Sequence, residues 1–402
     1  MVGIGGSQQA RALKNNSSRI PELDGLRGLA ILMVMLWHYF YFHPAANHHP
    51  AGLVRQAYVR LERFLGLGWS GVDLFFVLSG FLIGGILLNA RSSPSYFRTF
   101  YLRRFFRIIP VYYAWILTYL LVSGLLSAFA RQAVPHELKW TEVLAQFLFL
   151  QNLGIIHYLP SLGAVWFMAS WSLAVEEQFY LVSPLIIRKF SEQFLLRFLV
   201  AVIVAAPILR LWIRFHYPSE AGMGMAYELM PCRADSLAVG ILIALIWRKP
   251  AGQEWIKART RQLAVVLAVL FAGFIVLTAF FSYRYLLLTQ IVGHSWLAFF
   301  YGGALTMAVA RPEISWASFL RTKVLRNWGR ISYCVYLIHP AMNAAAHWLL
   351  RIQGEATDWR TLAAPTLAIP LTYAVASFSW RFFEEPMLRL GHRYQFHRSH
   401  SG

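Results

Sequence analysis

Residues 21–42 read PELDGLRGLAILMVMLWHYFYF, and the fold of the whole chain follows from how this stretch is read. It opens with polar residues and an arginine, Arg27, followed directly by Gly28. It then runs apolar for about the 20 residues that a helix needs to cross a hydrocarbon core. Arg27 stands at its start and His38 deep inside it, eleven positions later. At about 100° per residue, eleven positions make close to three turns, so both side chains lie on nearly one face, about 16 Å apart along the axis. An ionisable residue inside a membrane helix is costly and is taken first as a functional candidate. The plainer alternative for His38 is a packed, hydrogen-bonded histidine. Sharing a face with Arg27 favours a polar path running inward from one surface.

Composition agrees with a membrane chain. Of 402 residues, 58% are hydrophobic and only 14% charged, with mean hydropathy +0.49; a soluble domain carries about 25% charged residues. The formal charge of +19 could mean an anionic partner such as nucleic acid. The basic residues lie between apolar segments, however, which is the positive-inside pattern and argues against nucleic acid. Cys232 and Cys334 have neither metal nor redox spacing, and no disulfide is expected between them. The N-terminus does not read as a cleavable signal.

Ten spans are expected, at about 25–43, 69–90, 108–129, 170–187, 194–213, 234–247, 262–282, 288–310, 331–350 and 361–383. The apolar but short stretch in residues 140–160 reads as interfacial or re-entrant. The chain therefore reads as an all-α polytopic bundle, with a polar tail over 1–24, a membrane domain over 25–388 and a basic tail over 389–402. Ten spans put both ends on one side. The loops and tails of that side hold 24 basic residues against 11 on the other, which places both termini in the cytoplasm.

Depth follows at about 1.5 Å per residue. His38 falls near mid-membrane. Ser79 lies about 15 Å deep if Trp69 marks the outer interface, Glu176 and Glu177 about 8 to 9 Å below Trp171, and Asp73 shallower. These residues can converge in the outer half of the bundle. A carboxylate beside His38 would set its tautomer and raise its basicity, as a general base needs; pairing of the glutamates with arginines elsewhere is the alternative. In YLRRFFRIIP, Arg104 and Arg107 are three apart and share a helical face at the cytoplasmic mouth of the third span. Guanidinium forks bind phosphate bidentately, so a phosphorylated cytosolic ligand can dock there, whereas a simple membrane anchor needs the same charges. Arg103 points elsewhere. His339–Pro340 either lines the cavity or makes a packed kink. Arg233 and Asp235, in PCRADSLAVG, are expected at the outer mouth, paired with each other or facing a sugar-like acceptor. Glu384 and Glu385 are expected to cap a helix or to bridge to basic loops.

Taken together, PELDGLRGLAILMVMLWH, GVDLFFVLSGFLI, RRFFRIIP, WSLAVEEQFYL, RADSLAVG, ISYCVYLIHP and FEEP, in this order and over nearly the whole chain, resemble the bacterial acyltransferase-3 family of integral membrane O-acyltransferases. The resemblance implies that Arg27 and His38 are essential to transfer, that Arg104 and Arg107 serve the acyl-donor end, and that Glu176 and Glu177 are the family's paired carboxylates. It also implies a stand-alone member, since the chain ends soon after the tenth span. The expected activity is transfer of an acyl group, taken as acetyl, from cytosolic acyl-CoA to a hydroxyl. The acceptor is a glycan, a lipid-linked glycan or another exported molecule, in the bacterial inner membrane. His38 is the expected general base, oriented by Glu176 or Glu177. Asp73, Ser79, Arg233, Asp235 and His339 are the expected cavity or acceptor residues. Acyl-CoA enters as co-substrate, and neither a permanently bound cofactor nor a metal is expected. The rival from another class is a proton-coupled transporter of an acyl or sugar substrate with His38 as relay; paired broken spans in two related halves would favour it, and none is evident. A silent glycan-binding scaffold is a third reading.

Overall fold

The computed structural model describes residues 20–40, 65–129, 140–153, 162–281, 286–351 and 360–397. Among these the chain is helical throughout, without strands. The end of the first stretch beyond Phe40, the loop carrying Arg55, Arg60 and Arg63, residues 154–161 of the short apolar segment, and both extreme tails lie outside the described residues.

Helix α1 is Pro21–Phe40. A 3₁₀ turn, Gly68–Ser70, leads into α2, Gly71–Asn89. Then come α3 (Tyr96–Phe129), α4 (Trp140–Phe147), α5 (Leu162–Phe167), α6 (Ser170–Lys189), α7 (Glu192–His216), α8 (Glu220–Glu228) and α9 (Met230–Trp247). They are followed by α10 (Pro250–Ala258), α11 (Thr260–Phe281), α12 (His294–Ala310), α13 (Ser315–Leu320), α14 (Lys323–Leu349), α15 (Arg360–Ser379) and α16 (Glu385–His392). Single π turns, Thr289–Gly293 and Trp380–Glu384, precede α12 and α16.

Among the described residues, each of the ten expected apolar segments overlaps a helix. Six stretches are long and apolar enough to cross a membrane by length and composition: Pro21–Phe40, Gly68–Asn89, Tyr96–Leu126, Glu192–His216, Glu220–Trp247 and Leu362–His392. The third differs most from its expected bounds. The helix does not begin after the basic cluster but at Tyr96, and runs for 34 residues. Leu, Arg and Phe are adequate helix formers, so YLRRFFR continues the helix rather than preceding it. Pro110 sits inside it. Arg104 and Arg107 are thus held on a rigid element. In the 140–153 stretch only the short α4 forms, and Gln146 and Gln151 anchor the segment to α3 through hydrogen bonds with the Tyr112 hydroxyl, 2.7 and 3.1 Å.

Between membrane helices apolar burial gives little net drive, so small residues that admit close packing decide who touches whom. Gly28 of α1 faces the backbone of Leu325 and Gly329 on α14, where any Cβ would collide with main-chain atoms. Gly80 of α2 and Gly240 of α9 meet in the same way. These two crossings form the centre of the bundle. They also fix relative directions. Gly28 lies by Gly329 and His38 by His339, so α1 and α14 run parallel. Asp73 pairs with Arg233 and Gly80 lies by Gly240, so α2 and α9 are parallel too. Tyr96 reaches the Pro184 carbonyl and Tyr101 the Leu181 carbonyl, so α3 and α6 are antiparallel.

The outward faces are apolar. Leu117 and Leu121 on α3, Leu181 and Leu185 on α6, Val204 and Ile208 on α7, and Val265 and Val269 on α11 are all exposed, as a lipid-facing belt requires. The interior holds charge. Arg233 Nη2 donates to Asp73 Oδ1 at 2.6 Å, with both side chains fully buried. Arg210, on α7, donates to Asp235 Oδ2 at 2.9 and 3.0 Å and to Ser295 Oγ at 2.6 Å. This corrects the expectation for Arg233 and Asp235. They neither pair with each other nor stand at an open mouth: two residues apart on α9, they point to different neighbours, and each finds its counter-ion on another helix. Glu384 is buried and accepts from Ser379 Oγ at 3.2 Å, while Glu385 pairs with Arg389 one turn on. Cys232 and Cys334 are free, buried thiols.

Candidate functional site: two cavities that share Val72 and Tyr336

The α1–α14 crossing sets the frame. From the Gly28 contact, α1 carries Arg27 at one end and His38 about 16 Å further along. Each side chain lines a different cavity.

The first cavity, about 90 Å³, is lined by Arg27, by Arg104 and Arg107 of α3, by Glu176, Glu177 and Tyr180 of α6, and by Ser79 of α2. Arg27 Nη1 donates to Asp24 Oδ1 at 3.3 Å, one turn earlier on its own helix. The Tyr180 hydroxyl donates to Glu176 Oε2 at 3.0 Å and lies 2.8 Å from Ser79 Oγ. The Arg104 guanidinium stands over the rings of Phe100 and Tyr180, at 5.9 and 5.6 Å. Its Nε is buried without a hydrogen-bond partner among the described residues. With Arg27 paired to Asp24, Arg104 and Arg107 bring two planar donor forks to the same cavity, the arrangement that receives phosphate or carboxylate oxygens. Arg103 turns the other way, donating to the Tyr394 carbonyl at 2.7 Å.

The second cavity, about 80 Å³, is lined by His38 and Trp37 of α1, by Trp69, Trp171 and Tyr227, and by Glu228 at the end of α8. Val72 and Tyr336 line both cavities. Tyr336 is held there by a 2.6 Å hydrogen bond between its hydroxyl and Ser172 Oγ. His38 Nδ1 lies 2.9 Å from the Val34 carbonyl and 3.2 Å from Nε2 of His339, which is fully buried behind it.

The expected convergence therefore divides. Arg27, Ser79, Arg104, Arg107, Glu176 and Glu177 come together. His38 lies beyond them, across Tyr336, so Glu176 and Glu177 line the arginine cavity rather than the one that holds His38. Among the described residues, the carboxylate that lines the His38 cavity is Glu228. Sequence reasoning passed over it because ELMPC looks like the end of a loop. Its position is set through its backbone: the Glu228 carbonyl accepts from Asn152 Nδ2 at 3.2 Å, and Asn152 is locked to Gln178 of α6. His339 is a neighbour of His38 rather than a wall of its cavity. Asp73, Arg233 and Asp235 belong to the buried ion pairs. Arg210, also missed, lies in the last third of an apolar helix, one turn before Arg214.

An apolar-faced helical bundle with arginines, glutamates and histidines in its interior defines a membrane protein. More narrowly, the chain belongs to the acyltransferase-3 family: residues 20–381 match its acyltransferase domain (Acyl_transf_3). It is similar to the peptidoglycan O-acetyltransferase OatA of Listeria monocytogenes, 26% identical over 95% of this chain and 58% of the relative. It is also similar to the O-acetyltransferase OatA of Staphylococcus aureus, 27% identical over 92% of this chain and 58% of the relative. The chain thus spans a little over half the length of these relatives. No solved structure matches it.

Proposed function

We propose that this protein is a membrane O-acyltransferase that moves an acetyl group from acetyl-CoA to a hydroxyl of a cell-wall or related exported glycan. The observation that carries the reading is the pair of cavities sharing Val72 and Tyr336, one rich in arginine and the other holding a histidine. Arg104 and Arg107 hold the donor's phosphates by charged forks, and Arg27 extends the positive path toward the thioester. His38 takes the proton of the acceptor hydroxyl as its oxygen bonds to the acyl carbon. The carbon–sulfur bond then breaks, and the CoA thiolate leaves and takes up a proton. The acceptor class follows from the relatives, whose names are those of peptidoglycan and other O-acetyltransferases.

In this reading the bundle crosses the bacterial plasma membrane ten times, with both termini and the arginine cavity on the cytoplasmic side. The 24 to 11 asymmetry of basic residues supports this orientation, and so do the helix directions: parallel for the first and ninth segments and for the second and sixth, antiparallel for the third and fourth.

The test is turnover by purified protein in detergent, given radiolabelled acetyl-CoA and soluble muropeptides. Label appearing in an ester on the muropeptide supports the assignment. A transporter has no work to do without two compartments, so its expected result is no product. Absence of any acetyl ester under conditions where the protein binds acetyl-CoA would overturn the assignment.

A further inference from the structure

The arrangement of His38, His339 and Pro340 answers a question left by the glutamates: what holds the base in a working tautomer. Pro340 lies inside α14 and has no N–H, so the carbonyl of Tyr336, four residues earlier, loses its helical donor. His339 Nδ1 lies 2.9 Å from that carbonyl and 3.1 Å from the carbonyl of Val335. Carbonyl oxygens only accept, so Nδ1 of His339 carries a proton, and Nε2 of the neutral ring is left as an acceptor. That Nε2 lies 3.2 Å from His38 Nδ1. His38 Nδ1 also lies 2.9 Å from the Val34 carbonyl, again an acceptor. Nδ1 of His38 therefore carries its proton, and the lone pair of neutral His38 is on Nε2.

We propose that His339 is a positioning residue for His38: oriented by the carbonyl that Pro340 releases, its Nε2 accepts from His38 Nδ1 beside the Val34 carbonyl and holds the imidazole turned so that Nε2 is the base. The inference rests on the reading of His38 as general base. The His-Pro dipeptide then has a chemical purpose beyond a bend. Proline frees one carbonyl, that carbonyl orients one imidazole, and that imidazole orients the next. The two rings meet edge to face, with centroids 4.8 Å apart and planes at 62°, so the hydrogen bond also restrains the rotation of His38 about χ2. His339 is fully buried, which keeps water from competing for its Nε2.

Two measurements test this, one of them independent of turnover. In protein labelled with ¹⁵N-histidine and studied by solid-state NMR, the His38 signals are assigned by their loss in His38→Gln. The expected result is a protonated Nδ1 and an unprotonated Nε2 in the wild type, and in His339→Phe the same tautomer, kept by the Val34 carbonyl, with the Nδ1 resonance shifted and broadened by loss of the second acceptor. In the transfer assay, His339→Phe should lower kcat by at least about ten-fold with little change in KM for acetyl-CoA. His339→Gln should recover much of that loss, because its amide oxygen can still accept from His38. A purely packing role predicts the reverse order, since phenylalanine suits a dry site better than an amide. A wild-type His38 protonated on Nε2, or a His339→Phe variant as active as His339→Gln, would overturn the proposal. A wild type that shows the expected tautomer but no acetyl transfer would instead overturn the functional reading and leave the tautomer assignment standing.

Discussion

The Asp73–Arg233 pair offers the sharpest structural test, because sequence alone makes it a candidate acceptor contact and the fold makes it a clasp between α2 and α9. The two side chains are fully buried and 2.6 Å apart. Removing one member leaves the other charged in a low-dielectric interior, which costs about 3–5 kcal/mol in globular cores. In a bilayer the unfolded reference also finds partners, which moves the expectation below that range, to about 2–3 kcal/mol. Replacing both by apolar side chains of similar size removes the desolvation penalty together with the attraction, and is expected to be near neutral. Asp73→Leu and Arg233→Met should therefore each lower the unfolding midpoint clearly, and the double variant should recover at least half of the larger loss. Heating purified protein in detergent and following the monodisperse peak by size-exclusion chromatography gives the ranking. Single variants as stable as wild type, or a double variant that loses the sum of both, would refute the clasp. A stable double variant that has lost acyl transfer would return the pair to the acceptor site.

Three further outcomes follow from the same geometry. Arg104→Ala and Arg107→Ala should each weaken acetyl-CoA binding by about 1.5–3 kcal/mol, the scale of a charged hydrogen bond, and lysine should restore only part because it keeps the charge and loses the fork; calorimetry on purified protein decides, and wild-type affinity in both alanine variants would reduce the cluster to an anchor. Gly329→Leu should lower the yield of folded protein more than Ala308→Leu, which lies on a different helix, because it forces a side chain into the backbone of α1 at Asp24; equal yields would show that the crossing is loose. Ser92→Cys and Lys323→Cys, both exposed positions, should resist a membrane-impermeant maleimide added outside intact cells, and labelling of either would overturn the proposed orientation.

Much of this arrangement is visible in the sequence, and the part that is not has a definite physical reason. Hydropathy places the helices, and three-residue spacing puts Arg104 and Arg107 on one face, because both depend only on the geometry of a single helix. Contacts between helices depend on which way each one is rotated and on a common zero of depth. A depth scale set from the sequence takes Trp69 and Trp171 as interface markers. Both instead line the His38 cavity, Trp69 with only 2% of its surface exposed. Glu176 and Glu177, reckoned from Trp171, then fall about 7 to 9 Å past the level of His38 and reach Tyr180 and the arginines. The same limit hides Glu228 and the partners of Arg233 and Asp235: adjacency on one helix is readable, and azimuth against another is not. Only the crossing shows that Gly25 and Gly28, with the opposing Gly329, set the register bringing His38 to His339.

The most direct test of the proposed chemistry is the rate of acetyl transfer by purified His38→Gln, measured beside acetyl-CoA binding by the same preparation. Glutamine keeps a polar side chain of similar reach but cannot accept the hydroxyl proton near neutral pH. A general base contributes about 10²–10⁴-fold, and His38 lies across Tyr336 from the arginines. The expected result is a fall in kcat of at least about 100-fold with acetyl-CoA affinity essentially that of the wild type. Transfer at the wild-type rate would contradict the assignment of His38 as the base.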